Sequence, residues 1–192
     1  MKNETCCCSQ YQRTRPDRRT VISGVVCVAT VAFLPTVTLG QTAAENGRVT
    51  AEDERFMRMA IEEARQGDFP FGAVIVRDGA VIARGRNLGR TIGDPTAHGE
   101  MVAIRRGVAD LGAQALRGAT LYTSGEPCAM CMGAILWCGI NRLVFAASMA
   151  QLATKIDQIM VTSGEIAAKA KFDPIVIVGG VLAEEAMQLF QN

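Results

Sequence analysis

Two thiols and a single imidazole in this chain could together bind a metal ion. Cys128 and Cys131 stand one helical turn apart in TSGEPCAMCMGAILWCG, residues 123–139, and Cys138 follows seven positions later. Because seven residues of helix span about 10 Å, Cys138 cannot share one ion with Cys131. A site on this helix therefore uses the first pair and needs at least one further ligand from elsewhere in the chain.

The only histidine in the sequence is the candidate for that ligand. His98 lies in DPTAHGE, at the start of a predicted helix. Two thiolates and one imidazole suit Zn²⁺, and three protein ligands leave the fourth tetrahedral position to water, as in catalytic zinc sites. Residues 42–192 contain no second histidine and no cysteine placed to act as a fourth ligand. The donor count therefore favours a catalytic site over a structural one.

Glu100, two residues after the histidine, could move a proton. Zinc lowers the pKa of its bound water toward about 7, and a nearby carboxylate can take that proton and deliver it to a substrate nitrogen. This chemistry suits attack of zinc-bound hydroxide on an amidine carbon, with release of ammonia. H-x-E with P-C-x-x-C is the signature of zinc base deaminases, and the chain matches it at His98, Glu100, Pro127, Cys128 and Cys131.

Helical and extended periodicity alternates from residue 51 onward and supplies the elements that must position these side chains. The pattern predicts a first helix that ends at Gly67, a hairpin around Asp78-Gly79, and then strands separated by helices. Predicted helices cover HGEMVAIRRGVADLG, AMCMGAILWCG, MAQLATKIDQIM, SGEIAAKAK and VLAEEAMQLF, and predicted strands cover ATLYTS, RLVFAAS and PIVIVGG. This order predicts an α/β fold with a mostly central sheet covered on both faces.

Residues 51 to about 148 resemble the cytidine and deoxycytidylate deaminase superfamily, in the branch that contains bacterial guanine deaminase and tRNA adenosine deaminase. The resemblance rests on FPFGAVIV, DPTAHGE, LYTSGEPCAMCMGAI and NRLVFAAS. It implies a three-layer α/β/α sandwich around a five-stranded mixed sheet, a homodimer, and one Zn²⁺ per chain on His98, Cys128 and Cys131. It also implies that Glu100 is the proton shuttle.

The same resemblance implies the substrate contacts. Asn87 matches the asparagine that contacts the substrate, and the other matching positions are Phe71, Gly72 and Ala73 near the ring, and Glu126 before the proline. An alternative for Asn87 and Gly85 is ordinary turn chemistry at the end of a strand. Gly99 replaces the usual alanine, which is expected to loosen the helix start.

The region after the last family motif leaves the substrate open. Where the guanine branch has an acidic segment with aromatic residues, this chain reads QLATKIDQIM, with Asp157 as a candidate for the same role. Met130, Met132, Trp137 and Met149 are expected to pack in the core, because apolar residues at helical spacing usually do so.

Composition limits the protein class. The 192 residues suit one domain, predicted at residues 42–192. Four of the seven cysteines precede residue 42, which disfavours a disulfide framework. The chain has 20 basic and 19 acidic side chains, of which residues 1–41 carry five and two. Residues 42–192 therefore carry 15 basic and 17 acidic side chains and are slightly acidic.

Residues 1–41 are predicted to be an export signal. Four arginines precede the apolar run VISGVVCVATVAFL, and the pair Arg18-Arg19 resembles a twin-arginine signal. A periplasmic or exported protein is expected, and a cytoplasmic one if this extension comes from a misassigned start codon. Sec export and an uncleaved membrane anchor are alternatives, and no other membrane partner is expected.

Three functions fit these observations. The favoured one is a zinc-dependent hydrolytic deaminase of a free base or nucleoside, with guanine or a related purine first. The second is a tRNA adenosine deaminase, but residues 149–192 carry three lysines against five acidic residues, which does not suit phosphate binding. The third is a non-enzymatic zinc or dithiol module, in which Glu100 would have no task.

Overall fold

Residues 48–191 are described by a computed structural model, and the predicted export signal at residues 1–41 lies outside them. The α-helices are α1 (Ala51–Arg65), α2 (Gly99–Leu111), α3 (Ala129–Trp137), α4 (Met149–Leu152), α5 (Ser163–Lys169) and α6 (Ala183–Met187), and short 3-10 helices cover Ala113–Leu116 and Gln188–Phe190. The strands are β1 (Gly72–Arg77), β2 (Ala80–Arg86), β3 (Thr120–Gly125), β4 (Arg142–Ala147) and β5 (Val176–Val178). Within these residues, no helix combines the length and apolar character needed to span a membrane.

The five strands form one mixed sheet in the order β2-β1-β3-β4-β5. β1 is antiparallel to β2 and to β3, while β3, β4 and β5 run parallel to one another. Alternate residues of the central strands point to opposite faces, so Val74 packs with α1 while Ala73 and Ile75 pack with α2 and α3. The predicted three-layer α/β/α architecture with a five-stranded mixed sheet is confirmed.

The hairpin between β1 and β2 turns at the predicted dipeptide. Asp78 and Gly79 both have positive φ, 51° and 74°, as a two-residue type I′ turn requires. β2 is an edge strand, and its inner side is covered by α2, with Gly85 beneath Gly99 and Ala103. A Cβ atom on Gly85 would overlap the backbone of both residues, so glycine is needed for this close helix-to-strand contact.

A buried polar cluster joins the start of α1 to the middle of the sheet. Asp53 closes a capping box with Thr50, accepts two hydrogen bonds from Arg142 at 2.6 and 3.0 Å, and accepts a third from the Tyr122 hydroxyl at 3.0 Å. Asp53 is 1% exposed. We call Asp53, Tyr122 and Arg142 the Asp53 cluster. It fixes one end of α1 against β3 and β4.

Two of the sequence-based expectations are wrong. The helix predicted over MAQLATKIDQIM ends at Leu152 after four residues, where the Thr154 hydroxyl donates to the Gln151 carbonyl at 2.7 Å and closes the turn. Trp137, expected in the core, is 68% exposed and stacks edge-on against Phe172 with ring centroids 4.9 Å apart.

The methionines follow the expectation more closely. Met132 and Met149 are buried in the core, and Met130 is half-buried on the outer side of α3. Sequence periodicity could not assign the faces of α3, because apolar residues surround this helix on every side.

Candidate active site

The predicted site residues meet at one end of the sheet because of the strand directions. β1 runs opposite to β2 and β3, so the start of β1 lies beside the ends of both neighbours. Phe71 precedes β1, Asn87 follows β2, and Glu126 follows β3. The two helices that carry the candidate metal donors, α2 and α3, begin at this same end, with His98 and Cys128 as their N-cap residues.

The three candidate donors converge as the sequence predicts. The ligating atoms of His98, Cys128 and Cys131 all lie within 4.8 Å of one another, and the His98 Nδ1 atom is 3.7 Å from each sulfur. Zinc bonds of about 2.0–2.3 Å arranged tetrahedrally place neighbouring donors roughly 3.5–3.8 Å apart. The nitrogen-sulfur set and its spacing therefore fit Zn²⁺. No fourth His, Cys, Asp or Glu joins this group within residues 48–191.

Hydrogen bonding shifts the pKa values of the two thiols in opposite directions. The hydrogen bond from Cys131, with a further one from His98, lowers the pKa of Cys128 to about 4. The pKa of Cys131 is raised, because its thiol donates to Cys128 and is buried. The hydrogen bond to Cys128 raises the pKa of His98. Cys128 is therefore held as a thiolate, the form that binds a metal.

Glu100 is buried behind the metal donors, in the first turn of α2, and is 3% exposed. Burial raises the pKa of its carboxyl group, and the Cys131 thiol is among its neighbours. Within residues 48–191, neither a lysine nor an arginine forms an ion pair with Glu100. A buried carboxyl group with a raised pKa and no cation partner is suited to accept and return a proton near neutral pH.

A second polar cluster fixes the turn that carries His98. Asp94 Oδ1 accepts from the backbone and the hydroxyl of Thr96 at 2.8 and 2.6 Å, and Arg105 of α2 donates to Asp94 and to Thr96 at 3.1 and 3.0 Å. The His98 N–H then donates to the Thr96 carbonyl at 2.8 Å. Sequence reasoning missed Arg105, whose only signal is its position two helical turns after the histidine.

The start of α2 lies directly on the sheet. A Cβ atom on Gly99 would come within 2.7 Å of the Phe71 carbonyl oxygen. Glycine at this position therefore lets the helix approach β1 closely. The expected loosening of the helix start by Gly99 stays a prediction.

Asn87 lies at this same end of the sheet and is buried, with 4% exposure. Its side-chain oxygen accepts from the Gly89 N–H at 3.0 Å, which is the turn chemistry considered for this residue. Its backbone N–H donates to the Phe71 carbonyl at 2.8 Å. The side-chain amide nitrogen is left to donate to a ligand, and substrate contact by Asn87 stays a prediction.

Phe71, Gly72 and Ala73 form the start of β1 beside these groups. The Gly72 N–H donates to the Ser124 hydroxyl at 3.1 Å, and Ala73 pairs with Gly85 on one side and Thr123 on the other. Phe71 is half-buried, and its ring is 5.4 Å from that of Phe190. Their contact with a substrate ring stays a prediction.

Glu126 and Asp157 occupy different settings. The Glu126 carboxylate is buried, and both of its oxygens accept backbone N–H groups, from Met149 at 2.7 Å and from Ser163 at 2.9 Å. Its contact with a substrate stays a prediction. Asp157 is exposed in the loop that follows α4, and its predicted role in place of the acidic segment of the guanine branch stays a prediction. Cys138 lies at the end of α3 as a free thiol, outside the metal group.

Comparison with known proteins agrees with this geometry. The family profile described as the cytidine and deoxycytidylate deaminase zinc-binding region matches residues 50–147. Guanine deaminase from Bacillus subtilis is 48% identical over 99 residues, which make up 49% of this chain and 64% of that enzyme. The chain therefore spans less than two thirds of the length of this relative.

Two further relatives match over longer stretches. The tRNA-specific adenosine deaminase of Haemophilus influenzae is 38% identical over 148 residues, or 71% of this chain and 79% of that protein. The solved structure of guanine deaminase from Nitrosomonas europaea has a TM-score of 0.63 at 26% identity, and the match covers 85% of this chain and 97% of that one. The matched profile includes the metal group and Glu100. The chain belongs to the cytidine and deoxycytidylate deaminase superfamily.

Proposed function

We propose that this protein is a zinc-dependent hydrolase that removes the exocyclic amine of a free purine base or nucleoside, with guanine as the first candidate. The observation that carries the proposal is the convergence of His98, Cys128 and Cys131 in front of the buried Glu100. The two guanine deaminases among the relatives described above support a purine substrate.

The residues would divide the reaction among them. Zinc, when bound by the three donors, acts as a Lewis acid that lowers the pKa of water. Glu100 is placed to take a proton from the attacking water and to return it to the substrate, so that the amidine carbon gains an oxygen and the amine leaves as ammonia. The Asn87 amide nitrogen would donate to the base, and the start of β1 would lie along the ring.

Two measurements on the purified protein test this proposal. Metal analysis should give about one zinc per chain. Ammonia release should be measured with guanine, adenine, cytosine, their nucleosides and creatinine. Release from a purine with the zinc-loaded protein supports the proposal, and bound zinc without release from any of these compounds contradicts it.

A tRNA adenosine deaminase is the second candidate, and the longer match to the Haemophilus influenzae enzyme favours it. Its catalytic motifs would be the same, so the substrate must decide. Conversion of adenosine to inosine in an anticodon stem-loop, with no release of ammonia from free bases, would select this function. A protein that binds zinc or cycles between dithiol and disulfide, without deaminating any substrate, would instead be the non-enzymatic module.

We also propose that the protein is a homodimer, as the superfamily resemblance implies. Two apolar side chains on α3 support this, because Met130 and Trp137 lie two helical turns apart and are at least partly exposed. Light scattering after gel filtration should give twice the mass of the chain, and Trp137→Glu should shift the protein toward the monomer.

The cellular location is a separate proposal. Export through a twin-arginine route would carry a folded and already metallated protein, which suits three free cysteines in the described domain. Changing both Arg18 and Arg19 to lysine should then retain the precursor in the cytoplasm. Continued export of that variant would contradict the proposed route.

A further inference from the structure

We infer that Glu126 is a positioning residue whose buried carboxylate fastens both ends of the loop 153–162 beside the site. Through this loop, Glu126 would set how tightly the substrate is held, without taking part in the chemistry. The kinetic part of this inference rests on the proposed function, whereas the structural part does not.

Two hydrogen bonds carry the inference. Glu126 Oε2 accepts from the Met149 N–H at 2.7 Å, and Oε1 accepts from the Ser163 N–H at 2.9 Å. Glu126, Met149 and Ser163 are all buried, with exposures of 8%, 1% and 0%. Hydrogen bonds to an ionised carboxylate are stronger than those between neutral groups. Each donor is also the first residue of a short helix, where the N–H has no partner within the helix.

The loop 153–162 connects the two anchored helices, α4 and α5. On the first side, the backbone N–H groups of Lys155 and Ile156 both donate to the Leu152 carbonyl, at 2.9 and 3.0 Å, and complete the turn after α4. On the second side, Thr162 and Glu165 form the capping box that starts α5. Between these ends the chain forms no helix or strand, and Ile159 and Met160 are 61% and 60% exposed.

The stem of the loop lies against the candidate site. Glu126 stands two residues before Cys128 in the sequence. A Cβ atom built on Gly125 would be 3.0 Å from a Leu152 side-chain carbon and 3.0 Å from the edge of the Phe71 ring. Leu152 and Phe71 therefore flank the same backbone position, next to the residues predicted to contact the base. Displacing the stem would move one side of the space available to a substrate.

The N–H groups of Met149 and Ser163 are the hydrogen-bond partners of the Glu126 carboxylate. Within residues 48–191, neither a lysine nor an arginine forms an ion pair with Glu126. An amide at this position would present a donor where an acceptor is needed, and would lose one of the two anchors.

Glu126→Gln tests the inference in the zinc-loaded full chain. Lys155 is the one trypsin site within the loop, so cleavage after Lys155 reports on loop opening. We expect this cleavage to accelerate about tenfold, and KM for the purine substrate to rise about tenfold, the factor that one hydrogen bond to a charged group contributes. We expect kcat and zinc content to stay at the wild-type values.

Two substitutions of Ser163 separate the effect of its backbone N–H group from the effect of its side chain. Ser163→Pro removes the N–H that Glu126 accepts, at the first position of a helix, where proline is tolerated, and the preceding Thr162 is already extended. Ser163→Ala keeps the N–H and removes a buried hydroxyl that has no partner within residues 48–191. The proline variant should reproduce the Glu126→Gln effects, and the alanine variant should behave as wild type.

The outcomes distinguish this inference from the proposed function. If Glu126→Gln and Ser163→Pro are both cleaved after Lys155 at the wild-type rate, the anchoring role is wrong, whatever the enzyme activity. If kcat falls while KM is unchanged, Glu126 acts in the chemistry and the positioning role is wrong. If the wild-type protein deaminates no purine, the proposed function fails, and the cleavage rates still support or overturn the anchor.

Discussion

Two buried carboxylates, in the first turns of α1 and α2, have contrasting sets of partners. Asp53 and Glu100 are 1% and 3% exposed. Asp53 accepts hydrogen bonds from Arg142, Tyr122 and Thr50, which supply a cation, a hydroxyl and a backbone N–H. Glu100 has no lysine or arginine partner among residues 48–191 and stands behind three candidate metal donors.

The electrostatic consequence follows from these partners. Burial raises the pKa of both groups, but at Asp53 the hydrogen bonds from Arg142 and Thr50 outweigh burial and lower it. Asp53 is therefore held in its charged form and stabilises the fold. Glu100 is left able to change its protonation state, which is the property that a proton shuttle needs. A complete set of partners indicates a structural role, and an incomplete set indicates a chemical one.

Glu100→Gln should produce the largest effect and would test the chemical side of the comparison. Loss of the proton-transfer group should lower kcat by about 10³-fold or more, with zinc still bound. Because a neutral amide is less costly to bury than a carboxylate, the free energy of unfolding should stay the same or rise. Ammonia release, metal analysis and thermal unfolding of the same preparation measure the three quantities.

Substantial activity in the Glu100→Gln protein would show that the proton-shuttle assignment is wrong. His98→Ala is the matched comparison, because it should lose zinc as well as activity.

Arg142→Met should give the reverse pattern. Removing the cation leaves Asp53 buried and without its ion pair, which typically costs about 3–5 kcal/mol of unfolding free energy. The kcat of the folded protein should be unchanged, because the Asp53 cluster lies away from the metal group. Urea unfolding gives the stability, and activity below the unfolding transition gives kcat. A fall in kcat without a loss of stability would break the comparison.

Acid should weaken the Asp53 cluster. The folded-state pKa of Asp53 lies below its ordinary value of 3.8, so its contribution to stability is present above that pH. The contribution is lost as the pH falls through the folded-state pKa. Asp53→Asn cannot titrate, so the difference in unfolding free energy between wild type and this variant should shrink below pH 3.8. A difference that stays constant from pH 7 into this acid range would contradict the assignment.

Tyr122→Phe should have the smallest effect. It removes one hydrogen bond to Asp53 and keeps the ring that packs 5.2 Å from Phe56. A loss of about 1.5 kcal/mol in unfolding free energy is expected for a hydrogen bond to a charged group, with kcat unchanged. Chemical denaturation of Tyr122→Phe beside Arg142→Met would rank the two contributions within the cluster.

The candidate site was more predictable from the sequence than the Asp53 cluster. His98, Cys128 and Cys131 belong to short motifs whose residue types and spacing predict zinc binding. The dipeptide Asp78-Gly79 likewise predicts the hairpin. Tyr122 and Arg142 lie 69 and 89 positions from Asp53, and no local pattern links them. The one local signal was the capping box that Asp53 forms with Thr50.

The wrong predictions have the same origin in long-range contacts. A helix continuing from Met149 through Met160 would carry the chain about 18 Å away along its axis. Glu126 instead holds Met149 and Ser163 on the two oxygens of one carboxylate, so the chain must turn back. Trp137 faces outward because the other sides of α3 meet the sheet and α5, a choice that an all-apolar helix does not reveal in its sequence.

The close seating of α2 on the β1–β2 hairpin bears on how such an enzyme could acquire new substrates. Gly85 lies against the backbone of Gly99 and Ala103, so a larger residue at position 85 would move the donor and the shuttle that α2 carries. We therefore expect changes in substrate specificity to arise in the surface loops 88–97 and 153–162, which do not take part in this contact. Libraries that diversify those loops and preserve both glycines should yield altered specificity at a higher frequency than libraries that diversify the helix and the hairpin.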